Sequence, residues 1–436
     1  MVVGMSVIHL AQRKQSEMRL HWCAVLACFV TAVFAWGFGF YGQSVYLSEL
    51  HRIRGWSNFL ISSATTTFYI AGALLVTRVH AAIDRLGPRI VLIGGALLLG
   101  SGAVLFCYSR MPWQLYLAAL VMAGGWACTT MAAISITLAL WFDRQRGLAI
   151  SLALNGASTA GFVVTPVLIT LTSRHGLSAA VAETALGLLA VLIPLVVFGM
   201  GPRRGHPSKP APAIERPDSR AFYRSSSDAL RDWHFWSVAL PFALVLLAQV
   251  GFLVQLVALL IPRLGADGAA YPVAAAAMAA MLGRIGLGLV IDRLDQRCIS
   301  AVSFDSQAVA LGFILTTPAS PGALYAACCL FGLSVGNVIT LPSLIIQHEF
   351  ASRSYGSVVG LSTGVGQITF AFGPALLGLI RDIAGNYAPA LVVCMVLEVA
   401  AAALILSYRP EHTKLAPTRS VRSALLPLLT RPLRHR

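Results

Sequence analysis

The chain is 436 residues long, 57% hydrophobic and only 11% charged, with a formal net charge of +15 and a mean hydropathy of +0.76. Soluble domains carry about a quarter charged residues, so this composition excludes an ordinary soluble protein and predicts an all-α membrane protein that crosses the bilayer many times. The positive charge does not imply nucleic-acid binding, because Lys and Arg lie between apolar runs and not on one basic face interleaved with aromatics.

Residues 1–21 form a basic N-terminal tail holding Arg13, Lys14 and Arg19. The apolar run that follows is longer than a signal-peptide core and no A-x-A cleavage site follows it, so the first segment is retained as an anchor. Runs long enough to span a bilayer then appear at 22–47, 57–79, 88–109, 113–140, 146–172 and 178–200. Residues 201–232, rich in Pro, Ser and Arg, read as a flexible linker. Further spans follow at 233–262, 270–291, 298–317, 321–347, 355–380 and 387–408. Residues 409–436 form a basic tail whose short apolar patch, Ala424 to Leu429, suits loose contact with membrane lipids. The predicted organisation is two six-helix bundles, 22–200 and 233–408, in a chain expected to be a monomer. All eight cysteines sit in apolar runs without C-x-x-C spacing, so no metal or cofactor is expected.

Of the 32 Lys and Arg residues, 25 fall in the tails, the linker and alternate connections on one side; six fall on the other, and Arg284 lies within a span. The positive-inside rule puts the richer side, with both termini and the linker, in the cytoplasm. An internal repeat is also visible. Ile83-Asp84-Arg85-Leu86 followed by Arg89 returns 208 positions later as Ile291-Asp292-Arg293-Leu294 followed by Arg297. Gly147, Gly156 and Pro166 correspond loosely to Gly356, Gly366 and Pro374. The two bundles are thus expected to be one design used twice, related by an axis along the membrane normal.

At these residues the chain resembles the major facilitator superfamily over essentially its whole length. The family's loop motif, G-x-x-x-D-R-x-G-R/K-R, is similar to HAAIDRLGPR from His80 to Arg89 and to its second copy from Gly288 to Arg297. His80 replaces the leading glycine of the first copy, and Asp295 stands in the second where the first has Gly87. Shorter strings resemble the monocarboxylate porter and oxalate/formate antiporter branch: Gly55-Trp56-Ser57, the stretch from Trp141 to Ala149, and Arg284-Ile-Gly-Leu-Gly288. The resemblance implies a secondary transporter working by alternating access, with Arg284 binding the carboxylate of a small organic anion. Here the carboxylate those porters carry one turn earlier is Ala280, the first-segment lysine is absent, and the basic residue of oxalate exchangers falls near Ser362. A dianion held by two cations is therefore disfavoured.

Arg284 lies eight residues before Asp292, roughly 12 Å into the membrane and near its midplane. It could clamp a carboxylate by two parallel hydrogen bonds, pair with a buried polar neighbour, or snorkel to water. Its equivalent in the first bundle is Val76, so it is not a generic part of the repeat. Tyr41, Asn155, Asn337 and Gln367 are the polar residues expected to complete its pocket, each alternatively an interhelical bond. The repeated motif, Asp84, Arg85 and Arg89 with Asp292, Arg293 and Arg297, reads as a gate or as static packing. By resemblance Asp84 would face the helix starting near Tyr355 and Asp292 the helix starting near Gly147, each carboxylate favoured by the helix dipole. Asp305 and Glu398, the deepest acidic residues, are candidates for proton coupling as a protonated, hydrogen-bonded pair.

Two other functions are open. A proton-exchanging exporter of drugs or metabolites is disfavoured by the absence of an acidic residue in the first segment and of G-x-x-x-G-P-x-x-G-G in the fifth. A sensor or scaffold with the same fold would be expected to carry an appended soluble domain. Enzymatic chemistry is not expected, since no nucleophile with a base, metal cluster or phosphate loop occurs at working spacing.

Overall fold

In the computed structural model the apolar runs form twelve helices long and apolar enough to cross a membrane. The structure describes residues 21–142, 145–200, 226–291, 294–317, 320–350 and 355–408. The helices are α1 (His21–Arg54), α2 (Asn58–Val76), α3 (Pro88–Tyr108), α4 (Pro112–Leu138), α5 (Arg146–His175), α6 (Leu177–Gly199), α7 (Trp233–Gly265), α8 (Gly268–Gly288), α9 (Gln296–Thr316), α10 (Pro321–Glu349), α11 (Ser357–Ala384) and α12 (Ala388–Ser407). Every span expected from the sequence is present. The first reaches Arg54, well past the expected boundary at 47. Both tails, most of the linker, and Asp292 and Arg293 of the second motif lie outside the described residues.

Local sequence explains where the helices begin and end. Pro occupies the first turn of α3, α4, α10 and α12, where its missing N–H costs nothing. Ser57 caps α2 by accepting from the Leu60 N–H at 3.2 Å. Asp295 caps α9 through the N–H groups of Arg297 and Cys298, at 2.9 and 3.2 Å, which explains why the second motif carries Asp where the first carries Gly87. Gly265, at φ 75°, turns α7 into α8; that backbone conformation is costly for any residue with a side chain.

The first six helices pack chiefly on one another, as do the last six, and the two sets meet along a seam where α5 touches α8, α1 touches α7, and α2 touches α11. The side of the molecule where α6 ends and α7 begins is called the linker face below; the opposite side is the far face.

The seam is closed at the far face. Asp382, near the end of α11, accepts from the backbone N–H and side-chain amide of Asn58 at 3.2 and 2.9 Å, and from the Phe59 N–H at 2.7 Å. A carboxylate from one set thus caps the N-terminus of a helix in the other, where free N–H groups and the helix dipole favour negative charge. Beneath it the Gln255 amide donates to Ser62 Oγ at 3.1 Å, and the Tyr387 hydroxyl donates to Gln255 Oε1 at 3.2 Å.

Toward the linker face several glycines lie in open space. A side chain added at Gly286, Gly288, Gly360 or Gly364 would meet nothing within 4 Å. The Asp84 carboxylate is 59% exposed and lies 2.9 Å from His80, one turn back on its own short helix. In this conformation it is not engaged across the seam as expected.

Asp382→Ala removes three bonds to a charged acceptor, each worth about 1.5–3 kcal/mol, and should shift the protein toward a form open at the far face. In a cysteine-free background, Ser62→Cys should react with an impermeant maleimide at least about tenfold faster when Asp382→Ala is added. An equal rate would show that the cap does not hold the seam.

Candidate functional site

Tyr41 owes its position to a π-helical turn, Gly37–Tyr41, inside α1. Such a turn fits an extra residue into the helix and is usually kept for a functional reason. Gly39 lets the turn lie against Trp126 of α4, since a Cβ there would come within 2.3 Å of the ring. The Gly39 carbonyl accepts from the Tyr69 hydroxyl at 3.0 Å. At the end of the turn the Tyr41 ring is buried against Gly161 of α5, where an added Cβ would lie 2.8 Å from the ring and 2.3 Å from Ala277 of α8. Three helices from the two sets therefore meet at the tyrosine.

Two turns further along α8 comes Arg284, an electrostatic neighbour of Tyr41. It lies about 24 Å from the far-face end of its helix, as does Asn337 on α10. The arginine stem packs on Gly336: a Cβ at that glycine would sit 3.1 Å from Arg284 Cβ and 3.3 Å from its Nε. Arg284 Nε donates to the Gly336 carbonyl at 3.4 Å, a long bond at the limit of usefulness. Among the described residues the guanidinium forms no salt bridge, and its other N–H groups have no hydrogen-bond partner. The adjacent Asn337 donates to the Leu333 carbonyl at 3.2 Å, leaving its buried Oδ1 without a partner. Arg284 and Asn337 thus lie at one level of the seam, with Tyr41 as an electrostatic neighbour from the other set. Gln367 on α11 and Asn155 on α5 are half-buried, and neither side chain has a hydrogen-bond partner among the described residues. Among the described residues no hydrogen bond links either of them to Arg284.

The motif residues fare unequally. Arg89 donates to the Met200 carbonyl at the end of α6, and Arg85 is exposed. Arg297, grouped with the gate by its sequence, is instead buried inside the last six helices. Its Nε and Nη2 donate to Glu349 Oε1 and Oε2 at 2.7 and 2.8 Å, while Nη2 also reaches Ser237 Oγ and Nη1 the Ile405 carbonyl, both at 3.0 Å. His234 Nε2 lies 2.8 Å from Glu349 Oε2, and the guanidinium stacks over Tyr408. This cluster ties α7, α9, α10 and α12 together at the linker face, within one set and away from the seam. The physical reason is that a buried arginine must satisfy its donors, and Glu349 is the carboxylate within reach.

Glu398 is fully buried, and among the described residues neither carboxyl oxygen has a hydrogen-bond partner, while Asp305 is exposed. The hydrogen-bonded pair expected from their depth is therefore not formed. The neighbouring Cys394 contacts the Ala248 carbonyl of α7, so Glu398 points into the last six helices and not at the seam.

A family model for the Major Facilitator Superfamily matches residues 27–374. The chain belongs to this superfamily. It is 24% identical over 398 residues to an uncharacterized MFS-type transporter, YcxA, of Bacillus subtilis, covering 87% of this chain and 92% of that protein. It is 28% identical over 363 residues to monocarboxylate transporter 11 of Mus musculus, covering 77% of each. In fold it is similar to the nucleoside transporter NupG (D323A mutant), with a TM-score of 0.70 at 12% identity over 88% of this chain and all of that one. The protein is a multi-pass membrane transporter of the major facilitator superfamily and not an enzyme.

The residues that sequence reasoning missed are Asp382 with Asn58, and Glu349 with His234. The signal for the second pair was weak but present: Glu349 is the one acidic residue between Asp305 and Asp382, at the end of an apolar span, where a charge needs a partner.

Proposed function

We propose that this transporter moves a small organic anion, a monocarboxylate, by alternating access across the cell membrane, with Arg284 as the anion clamp. The observation that carries this is a guanidinium inside a membrane-spanning helix, about 24 Å from its far-face end, at the seam between the two sets of helices, with no counter-ion among the described residues. A cation in that position is costly, and a carboxylate bound through two parallel hydrogen bonds removes much of the cost. The Ala280 substitution supports the same reading: without a carboxylate one turn earlier, the solute is left to supply the negative charge. Several similar proteins bear the name monocarboxylate transporter.

The positive-inside rule assigns the linker face to the cytoplasm, which makes the conformation described above one closed to the outside. Substrate binding would neutralise Arg284, so the loaded carrier should reorient more readily than the empty one. Asp84, Arg85, Asp292 and Arg293 would then engage when the cytoplasmic side closes. Asn337 and Tyr41 would orient the solute. Coupling to protons, with Glu398 as the buried carboxyl group, belongs to this proposal.

The test is uptake of radiolabelled carboxylates, amino acids and sugars into proteoliposomes, with and without a pH gradient. Carboxylates are expected to accumulate, and faster with an inward proton gradient. If no carboxylate moves, the proposal is lost; if one moves without any effect of the gradient, only the proton arm is.

A further inference from the structure

Above the far-face seal lies a cavity of 720 Å³ that spans both sets of helices, its walls including Glu49, Arg52, Asn58, Arg263, Arg381 and Tyr387. Its volume falls within the range of small-molecule sites, about 300–1,000 Å³. It is separated from Arg284 by the Asn58–Asp382 cap and the Ser62–Gln255–Tyr387 chain, so it is not part of the site proposed above.

The three arginines in this wall are not equivalent. Arg52 is neutralised by Glu49, whose Oε2 accepts from its Nη2 at 2.6 Å and its Nε at 3.1 Å. Arg263 donates to the Ile314 carbonyl at 2.9 Å. Arg381 forms no ion pair among the described residues; its guanidinium lies over the Tyr387 ring, 5.5 Å from the centroid, and its enclosed Nε has no hydrogen-bond partner. Stacking and a side-chain hydrogen bond to Tyr387 hold the fork in place while its Nε donor stays unused, an arrangement that leaves it ready for a planar anion.

We propose that this vestibule is a second anion site, seated on Arg381, which receives the carboxylate of the solute from the far face before the seal opens. The inference rests on the reading of the protein as a carrier of organic anions. Two features connect the seat to the seal. Asp382, the next residue, forms the cap on α2, and Tyr387, beneath the guanidinium, donates to Gln255 of the inner chain. A carboxylate arriving at Arg381 therefore docks on the same turn of α11 that holds the seam shut.

Benzoate and propionate are suitable probes of the full-length protein. Whole cells report loading from the far face and inside-out vesicles loading from the linker face. Arg381→Gln is expected to raise the far-face KM about tenfold, the effect of losing one charge-assisted contact, while the linker-face KM stays within about twofold. An unchanged far-face KM, or an equal rise on both faces, overturns the proposal. Should Arg381→Gln fail to reach the membrane, Arg381→Lys keeps the charge without the fork, and a smaller rise confined to the far face is expected. A second arm measures equilibrium binding of labelled benzoate to protein carrying Arg284→Gln. Retained binding that disappears when Arg381→Gln is added supports the vestibule site even if the parent transports neither probe, the outcome in which the anion-carrier reading itself fails. Parental transport with no binding to the Arg284→Gln protein sinks the vestibule alone.

Discussion

Replacing Arg284 by glutamine is expected to lower kcat/KM for the carried carboxylate at least about a hundredfold, while the amount of folded protein and its unfolding temperature stay close to the parent's. The first half follows from the loss of a charge-assisted, two-point contact with the solute, worth several kcal/mol in a water-poor site. The second follows from the packing: the side chain has one 3.4 Å hydrogen bond, and no partner is left stranded when it goes. Arg284→Lys should fall between the two, since it keeps the charge and loses the planar fork. Transport assays paired with thermal unfolding separate the alternatives, because an arginine that only joined two helices would lower stability and transport together. Carboxylate transport by Arg284→Gln at the parental rate would exclude the clamp.

The opposite pattern is expected for Glu349→Ala. Here the cost is structural, about 3–5 kcal/mol, because Arg297 is left with a buried charge and two unfilled donors. His234 also loses its partner. The protein should unfold at a clearly lower temperature in detergent, and less of it should reach the membrane. Replacing both partners, Arg297→Met with Glu349→Leu, should recover much of the loss, since two apolar side chains of similar size leave no uncompensated charge. Were Glu349→Ala as stable as the parent, the four-helix tie at the linker face would carry no weight.

The contrast between these two arginines shows what could be read from the sequence. Both stand out as charges near apolar runs, and the repeat distinguishes them: Arg297 has a counterpart in Arg89, whereas Arg284 aligns with Val76. That asymmetry singles out Arg284 in the sequence alone. The repeat groups Arg297 with residues that read as a gate or as static packing, but its partner Glu349 lies 52 positions away and nothing local announces the pairing.

Spans, orientation signal and family were legible because hydropathy and charge are local properties of a chain in a bilayer. The Asp382 cap was not. It joins residues 324 positions apart, and an aspartate at the end of a span reads locally as a solvated terminus. The same holds for Tyr41, whose burial depends on a π turn that periodicity alone cannot distinguish from continuous α-helix. Glu398 erred in the other direction: depth suggested a hydrogen-bonded partner, but Asp305 on the neighbouring helix faces outward.

The π turn in α1 also makes that helix sensitive to count as well as composition. One additional residue shifts the angular phase of everything after it by about 100°. The stretch before the turn sets Trp36 against Trp126, and the stretch after it, Gly42–Arg54, packs on α7 and brings Glu49 and Arg52 into the vestibule. An α1 shortened by a single residue between Gly37 and Phe40 would regain regular α-helical pitch and rotate its outer half away from both. One lost residue there would uncouple the Arg284 site from the far-face mouth, although almost every apolar contact of the inner half would survive.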